Sequence, residues 1–402
     1  MSKNGGMYEF QPLVLREHKS HSQERPRGRS GHRIVCDGKY LYSFGGFNPC
    51  IPDNDPDLRH DQNWLENRPL FRELWKFNYS TERWKRLLPS NNSMPTTVAS
   101  SAMLLKDRTL VVYGGTGVPF GANCSNMLYV WNLRNGNSRL LPYGGALPQA
   151  GYGQAMFTQG PYLYTIGGTT GYEYTSDIHR YDLRTNQWEA VYICRGDASE
   201  PKGRYRHEIA FDGSVIYILG GGTAYEAFDF KDIPAFDLAS NRWMTLSAVK
   251  DRNHGYPEAR RCHGSVQYTD EKTGEISIVI SGGYSGSREF QDIWRLDLGQ
   301  LQWTCVARCF FQSPLYFHSV ALTPQGKMYT FGGIKTIPNG VTRTDAIHST
   351  WLVIPKLQEI CWEALNYYVK DLRNRPLHDL AAMGIPSEFL QRLKNDDDEN
   401  DG

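Results

Sequence analysis

The sequence predicts an all-β chain: six four-stranded blades closed into a propeller, followed by a short helical segment. Three observations lead there. An apolar strand ending in paired glycines recurs six times, a tryptophan recurs downstream of it, and near the C-terminus the apolar spacing changes from strand-like to helical.

The glycine strands are "LYSFGG" ending at Gly46, "LVVYGG" at Gly115, "LYTIGG" at Gly168, "YILGGG" opening at Tyr217, "IVISGG" at Gly283 and "MYTFGG" at Gly333. A variable loop follows each, then a second strand: "LWKFNY", "LYVWNL", "IHRYDL", "IPAFDL", "IWRLDL" and "TWLVIP". Trp84, Trp188, Trp243 and Trp303 open the strand after that in four units. With one strand before the glycine strand, each unit makes a four-stranded antiparallel blade. The glycines turn the backbone where a side chain would clash, and the tryptophan fills the wedge between blades. Ser138 stands where the second unit should carry tryptophan, and the sixth unit runs out after "STWLVIP". The missing strand is expected from the other end of the chain, which removes the open edge. "FQPLVL", Phe10 to Leu15, is the apolar run assigned to it.

Composition sets the limits. At 402 residues, 40% hydrophobic and 13% aromatic, the chain can bury a large core. A formal net charge of +1 gives no long-range field for nucleic acid or an anionic membrane. Of the eight cysteines, Cys305 and Cys309 are four apart, a spacing that suits a metal, but no second ligand pair accompanies them; all eight read as free thiols, so neither a metal nor a cofactor is expected. No signal peptide or membrane span is read, which predicts a cytoplasmic or nuclear protein.

The segment before the first strand of each blade shares a face with the loop after the paired glycines, and together they should ring the channel mouth. In the fourth unit it reads "RYRH", Arg204 to His207; its counterparts are "RSGH" from Arg29, "GYGQ" from Gly151, "RRCH" from Arg260 and "LYFH" from Leu315. Arg29, Arg204, Arg206, Arg260 and Arg261 are therefore candidates to converge on one concave surface. Tyr205, His207, His263, Tyr316, His318, Tyr172, Tyr174, Tyr225 and Tyr284 are candidates for its wall. The histidines, with His32, also suit hydrogen bonds to neighbouring backbone in the channel. Several guanidinium groups together call for an anion or a carboxylate, and a guanidinium fork can hold both oxygens of a terminal carboxylate. No residue is assigned a catalytic role. A copper-oxidase reading built on His263 beside Cys262 lacks an acid–base pair at the mouth.

The repeat marks resemble the kelch repeat over roughly residues 28–355, after an N-terminal segment 1–27. From residue 356 to 394 the chain reads as helices. Leu357, Ile360, Cys361, Ala364, Leu365 and Tyr368 fall on one helical face, a second helix runs through "RPLHDLAAMG", and "IPSEFLQRLK" makes a third. Residues 395–402 read as a disordered acidic tail. Leu357, Cys361 and Leu365 resemble the box that inserts into Elongin C, although Lys356 precedes it where serine, threonine or proline is usual. Ile385, Pro386, Phe389 and Leu393 resemble the Cullin-2 box. Fewer than about thirty residues before the first blade leave no room for a BTB domain. The chain is thus similar to the kelch-domain substrate receptors of Cullin-2 ubiquitin ligases. The resemblance implies a non-catalytic receptor, bound to Elongin C with Elongin B and to Cullin-2, that captures C-terminal degrons ending in glycine or alanine. It makes Arg204 and Arg260 first choices for the carboxylate clamp, with Tyr205, Arg206 and Arg261 as supporting wall. The alternative is a scaffold that binds a folded partner through its loops, the long first loop included.

Overall fold

A computed structural model describes residues 8–20, 22–91, 93–369 and 371–394; the expected acidic tail, 395–402, lies outside them. Six four-stranded antiparallel sheets make a six-bladed β-propeller. Blade 1 holds Arg33–Cys36, Tyr40–Phe44, Leu74–Asn78 and Arg83–Leu87, paired in chain order. Blades 2 to 5 repeat that order, starting at Ala102, Ala155, Glu208 and Gly264.

Blade 6 is a composite. Ser319–Leu322, Lys327–Phe331 and Ile347–Trp351 take their outer partner from Arg16–His18, with Arg16 opposite Ser349 and His18 opposite Ile347. The ring does close through the N-terminal segment, but one step downstream of the expected Phe10–Leu15. An outer strand needs free backbone and one inward side chain rather than an apolar run. Leu13 and Val14 are exposed, and of the apolar run's backbone Leu13 N–H reaches Trp351 O. His18 points inward, bonded to Glu82 and to Ser349 Oγ.

The tryptophans fill wedges as expected. Trp84 packs with Tyr329 and Phe331 of blade 6, Trp188 with Val111 and Tyr113 of blade 2, and Trp303 with Phe230 and Leu219 of blade 4. Ser138 is compensated: Trp131, one strand inward, packs against Tyr42 and Phe44 of blade 1. The first loop is folded back, with helix α1 (Gln62–Asn67) capped by Asp61 and Trp64 stacked on Phe71.

Three further helices, α2 (Leu357–Tyr368), α3 (Leu377–Ala382) and α4 (Ser387–Leu393), pack around Trp362, Leu372, Leu380, Phe389 and Leu393. They dock under blades 1 and 6, on the face of the hairpin turns and opposite the mouth, where Thr323, Tyr79 and Glu82 meet Glu359, Trp362 and Arg373. The seam is ionic: Lys327 pairs with Glu363, and Arg392 binds Glu359 through two bonds of 2.6 and 2.7 Å. Glu82 accepts from His18, Arg16 and Arg373, so one carboxylate joins the closing strand to the tail. Burial opposes its charge, yet the bonds from His18 and Arg373 hold its pKa down at about 2. Burial depresses His18 to about 4, leaving it neutral at physiological pH.

Candidate functional site

Each entry segment occupies four defined positions, and register decides what each arginine does. At the third position stand Gly31, Ser100, Gly153, Arg206, Cys262 and Phe317, all with φ between 53° and 71°. Their backbones form a closed hydrogen-bonded ring. Ser100 N–H donates to Gly31 O, Gly153 to Ser100, Arg206 to Gly153, Cys262 to Arg206, Phe317 to Cys262 and Gly31 to Phe317, at 2.7–3.4 Å. This ring separates the mouth from a central cavity of about 320 Å³ lined by the first strands, in which Arg33 pairs with Glu208 at 2.9 Å.

First-position arginines point away from the mouth. Arg29 is fully buried, bonded to Gly45 O, stacked on Phe71 and paired with Glu73 at 2.6 Å. Arg260 repeats this with Gly282 O, Phe290 and a two-pronged pair to Asp292. Arg204 keeps the pattern with Gly220 O and Phe228. However, Phe230 stands where the other two blades place the acid, so Arg204 has no ion pair among the described residues. Burial lowers its pKa to about 10, with Asp229 and Glu226 opposing from a distance. The expected clamp of Arg204 and Arg260, and the placing of Arg29 at the mouth, are therefore corrected: these side chains hold blades together beneath the rim. Their charges are neutralised within the protein by acids 44 and 32 residues downstream for Arg29 and Arg260.

Fourth-position histidines are likewise structural. A Cβ on Gly167 would lie 2.7 Å from the His207 ring, and one on Gly221 would lie 2.5 Å from His207 Cβ, so the imidazole is clasped between glycines of neighbouring blades. His32, His263 and His318 repeat the arrangement. Burial, with the charge of Arg204 beside it, depresses His207 to about 3; burial depresses His318 to about 3 as well. His207, His263 and His318 are thus removed from the pocket wall.

What remains at the mouth is a cationic, aromatic cup. Arg206 extends across the ring, its guanidinium bonded to Ser100 Oγ and 4.9 Å from the Phe317 ring, with Nε free of any partner. Burial lowers its pKa to about 10, and Arg33 adds to the effect. Arg261 donates to the carbonyls of Thr223, Ala224 and Glu226 and leans on Tyr284. Arg343, which sequence reasoning missed, reaches Ser30 Oγ and the face of Phe47. Among the described residues, none of these three has an ion-pair partner. The expected wall residues Tyr205, Tyr174, Tyr284 and Tyr316 do assemble: Tyr174 against Tyr205 at 5.6 Å, Tyr284 stacked on Tyr316 at 5.1 Å. Tyr172 and Tyr225 stand at loop tips, 83% and 95% exposed.

The rim is linked loop to loop all the way round. Phe47 meets Phe120, Gly121 packs on Gly171, Tyr174 Oη accepts from Ala224 N–H, Arg261 pins the fourth loop, Glu289 accepts from Thr336, and Arg343 returns to blade 1. A cup held this way pays little ordering entropy on binding.

Comparison with known proteins agrees with this architecture. The KLHDC2/KLHL20/DRC7 Kelch-repeats domain matches residues 7–221, 64–273 and 194–384. The chain belongs to the kelch-repeat family. This kelch propeller is 40% identical over 408 residues to the Kelch domain-containing protein 10 homolog of Drosophila melanogaster, covering 96% of this chain and 66% of the fly protein. It is 39% identical to Kelch domain-containing protein 10 of Homo sapiens over 92% of this chain and 80% of the human one. It is 26% identical to human Kelch domain-containing protein 3 over 70% of this chain and 71% of that one.

The helical part of this kelch protein divides the two expected boxes. On α2, Leu357 is 74% exposed and Cys361 exposed, while the opposite face, with Glu359 and Trp362, is buried. Leu365 packs partly on the helical core. Lys356 caps α2 without a side-chain hydrogen bond, in keeping with its unusual place. Of the second box, Phe389 and Leu393 are core residues, Phe389 lying 5.0 Å from Trp362, so they hold α4 in place; Ile385 is half-buried against the same core, and Pro386 is exposed.

Proposed function

We propose that this kelch protein is the non-catalytic substrate-recognition subunit of a Cullin-2 ubiquitin ligase, joined to it through Elongin C and Elongin B. Its cup captures C-terminal degrons whose chains end in glycine or alanine. The observation that carries the reading is that Arg206, Arg261 and Arg343 each lie against an aromatic ring at the mouth and none has a carboxylate partner among the described residues. A terminal carboxylate supplies the missing anion: its two oxygens can accept from guanidinium forks at the mouth. Small terminal residues suit a floor closed by Arg206 and the backbone ring. On the opposite face, Leu357 and Cys361 present an apolar helix surface suited to Elongin C, and Ile385 with Pro386 offers the contact for Cullin-2. This arrangement leaves substrate and ligase arm free of one another.

The test is binding of a glycine-ending peptide by fluorescence polarisation, with a free or an amidated C-terminus, to wild type, Arg261→Ala and Arg343→Ala. Loss of a charge-assisted contact weakens binding about 10- to 100-fold. Amidation and each substitution are expected to do so. Equal affinity for the free and amidated peptides overturns the reading. Elongin B/C co-purification that is lost in Leu357→Asp and retained in Arg261→Ala tests the other arm.

A further inference from the structure

A second concavity lies beside the cup on the same face. A groove of about 570 Å³ runs between blades 3 and 4, bounded by residues 149–151, 167–177 and 194–203. Its lining carries Glu173, Asp177, Asp197 and Glu200 against Lys202. Asp177 and Glu200 are engaged by loop N–H groups, and Lys202 by Glu226. The side-chain carboxylates of Glu173 and Asp197 have no ionic partner among the described residues. Gln154, 5% exposed, also lines the groove, and its Oε1 has no hydrogen-bond donor. That atom is enclosed beside Gly114, in the fourth-position seat that histidines take in other blades.

The rim above is a duplicated turn. In Thr170-Gly171-Tyr172-Glu173, Thr170 Oγ1 accepts from the N–H groups of Tyr172 and Glu173; in Thr223-Ala224-Tyr225-Glu226, Thr223 Oγ1 accepts from those of Tyr225 and Glu226. Each turn raises an almost fully exposed tyrosine with a glutamate behind it. Blade 5 builds the same turn from Ser285 to Arg288 but presents serine and arginine instead. Exposed tyrosine tips therefore stand over blades 3 and 4, beside the guanidinium groups of the cup. Tyr174 belongs to both parts, lining the groove and packing on Tyr205 of the cup.

We infer that this groove docks a lysine or arginine upstream of the terminus of an extended peptide, and so gives the receptor a second specificity element. The inference rests on the proposed capture of chain ends in the arginine cup. The cation meets Glu173 and Asp197, and its alkyl stem lies along Tyr172 or Tyr225. An acidic groove beside a basic cup also fixes the direction of the chain, because the reversed peptide puts like charges together.

The test uses glycine-ending peptides with a single lysine or glutamate moved through about six upstream positions, a reach of roughly 20 Å for an extended chain. At one or two positions lysine is expected to bind about fivefold more tightly than glutamate. That preference should disappear in the Glu173→Gln/Asp197→Asn double variant and shrink at high salt. A preference that is absent from wild type, or unchanged in the double variant, overturns the inference. If no free-ended peptide binds at all, it is the chain-end reading that fails. The groove is then tested alone with an amidated tetralysine peptide: binding weakened by the double variant supports a cation site, and no binding, or binding the variant leaves unchanged, overturns it.

Discussion

Arg260 and Arg261 are neighbours in the chain and work in opposite directions. Arg260 turns inward, fully buried and held by both oxygens of Asp292; Arg261 turns to the mouth and bonds only to carbonyls. The same contrast separates Arg204 from Arg206. An entry segment with a left-handed residue at its third position sends alternate side chains to different destinations, so one arginine-rich tetrapeptide serves both blade cohesion and the candidate ligand site. Composition alone does not distinguish them; position within the segment does, since Arg204 turns inward even without an acid.

The largest expected effect breaks the inward half of this contrast. Asp292→Ala strands Arg260 in a buried setting and also removes the acceptor of the Trp294 indole. The expected cost is about 3–5 kcal/mol, read as a lowered denaturation midpoint. Arg261→Ala loses its bonds to the loop carbonyls and should cost about 1–2 kcal/mol, well below Asp292→Ala, while weakening peptide binding. If the two variants lose stability equally, the division of labour is wrong.

Protonation gives the next effect. His18, His207 and His318 have folded pKa values of about 4, 3 and 3, against 6.5 for the free side chain. The unfolded chain binds protons that the folded one refuses, so stability is full above pH 6.5 and falls as the pH drops below it. At pH 5 each histidine is expected to cost about 2 kcal/mol. Glu82, held at about 2 against 4.5, adds its loss only below pH 4.5. Melting scans from pH 7.5 to 5 should therefore fall steeply, and His18→Gln should flatten part of that slope. A flat profile over this range contradicts the clasped neutral histidines.

Much of the fold was legible because each blade repeats the same local problem: a turn too tight for a side chain, then a wedge needing an indole. The exceptions were legible only in part. Ser138 marked a missing tryptophan, but its replacement by Trp131 depends on packing across blades. The closing strand was placed at the apolar run rather than at Arg16–His18, since an outer strand is selected by backbone pairing and by one buried histidine. At the mouth, the tyrosines were legible from their loops. The arginines were not, because Glu73 and Asp292 lie far from their partners in sequence and no local signal marks which arginine they neutralise. Arg343 sits on a hairpin, Ile334–Ile337 with Gly340–Arg343, that has no counterpart among the repeats. Its place after the sixth glycine pair was the available clue.

The smallest expected effect is also the sharpest probe of the comparison. Arg204 has the inward geometry of Arg260 without an acid, because Phe230 occupies the acid's place. Replacing it with methionine keeps much of the apolar stem over Phe228 and removes a desolvated charge that no ion pair offsets. What is lost is the bonds to Lys202 O and Gly220 O and the stacking of the guanidinium. Because gain and loss oppose, Arg204→Met should shift stability by about 1 kcal/mol or less, well below Asp292→Ala. Peptide affinity should stay within about twofold of wild type, since the side chain lies beneath the rim. If stability holds but binding collapses, Arg204 reaches the ligand after all and the inward-facing set must be redrawn; if both hold, carboxylate recognition rests with Arg206, Arg261 and Arg343.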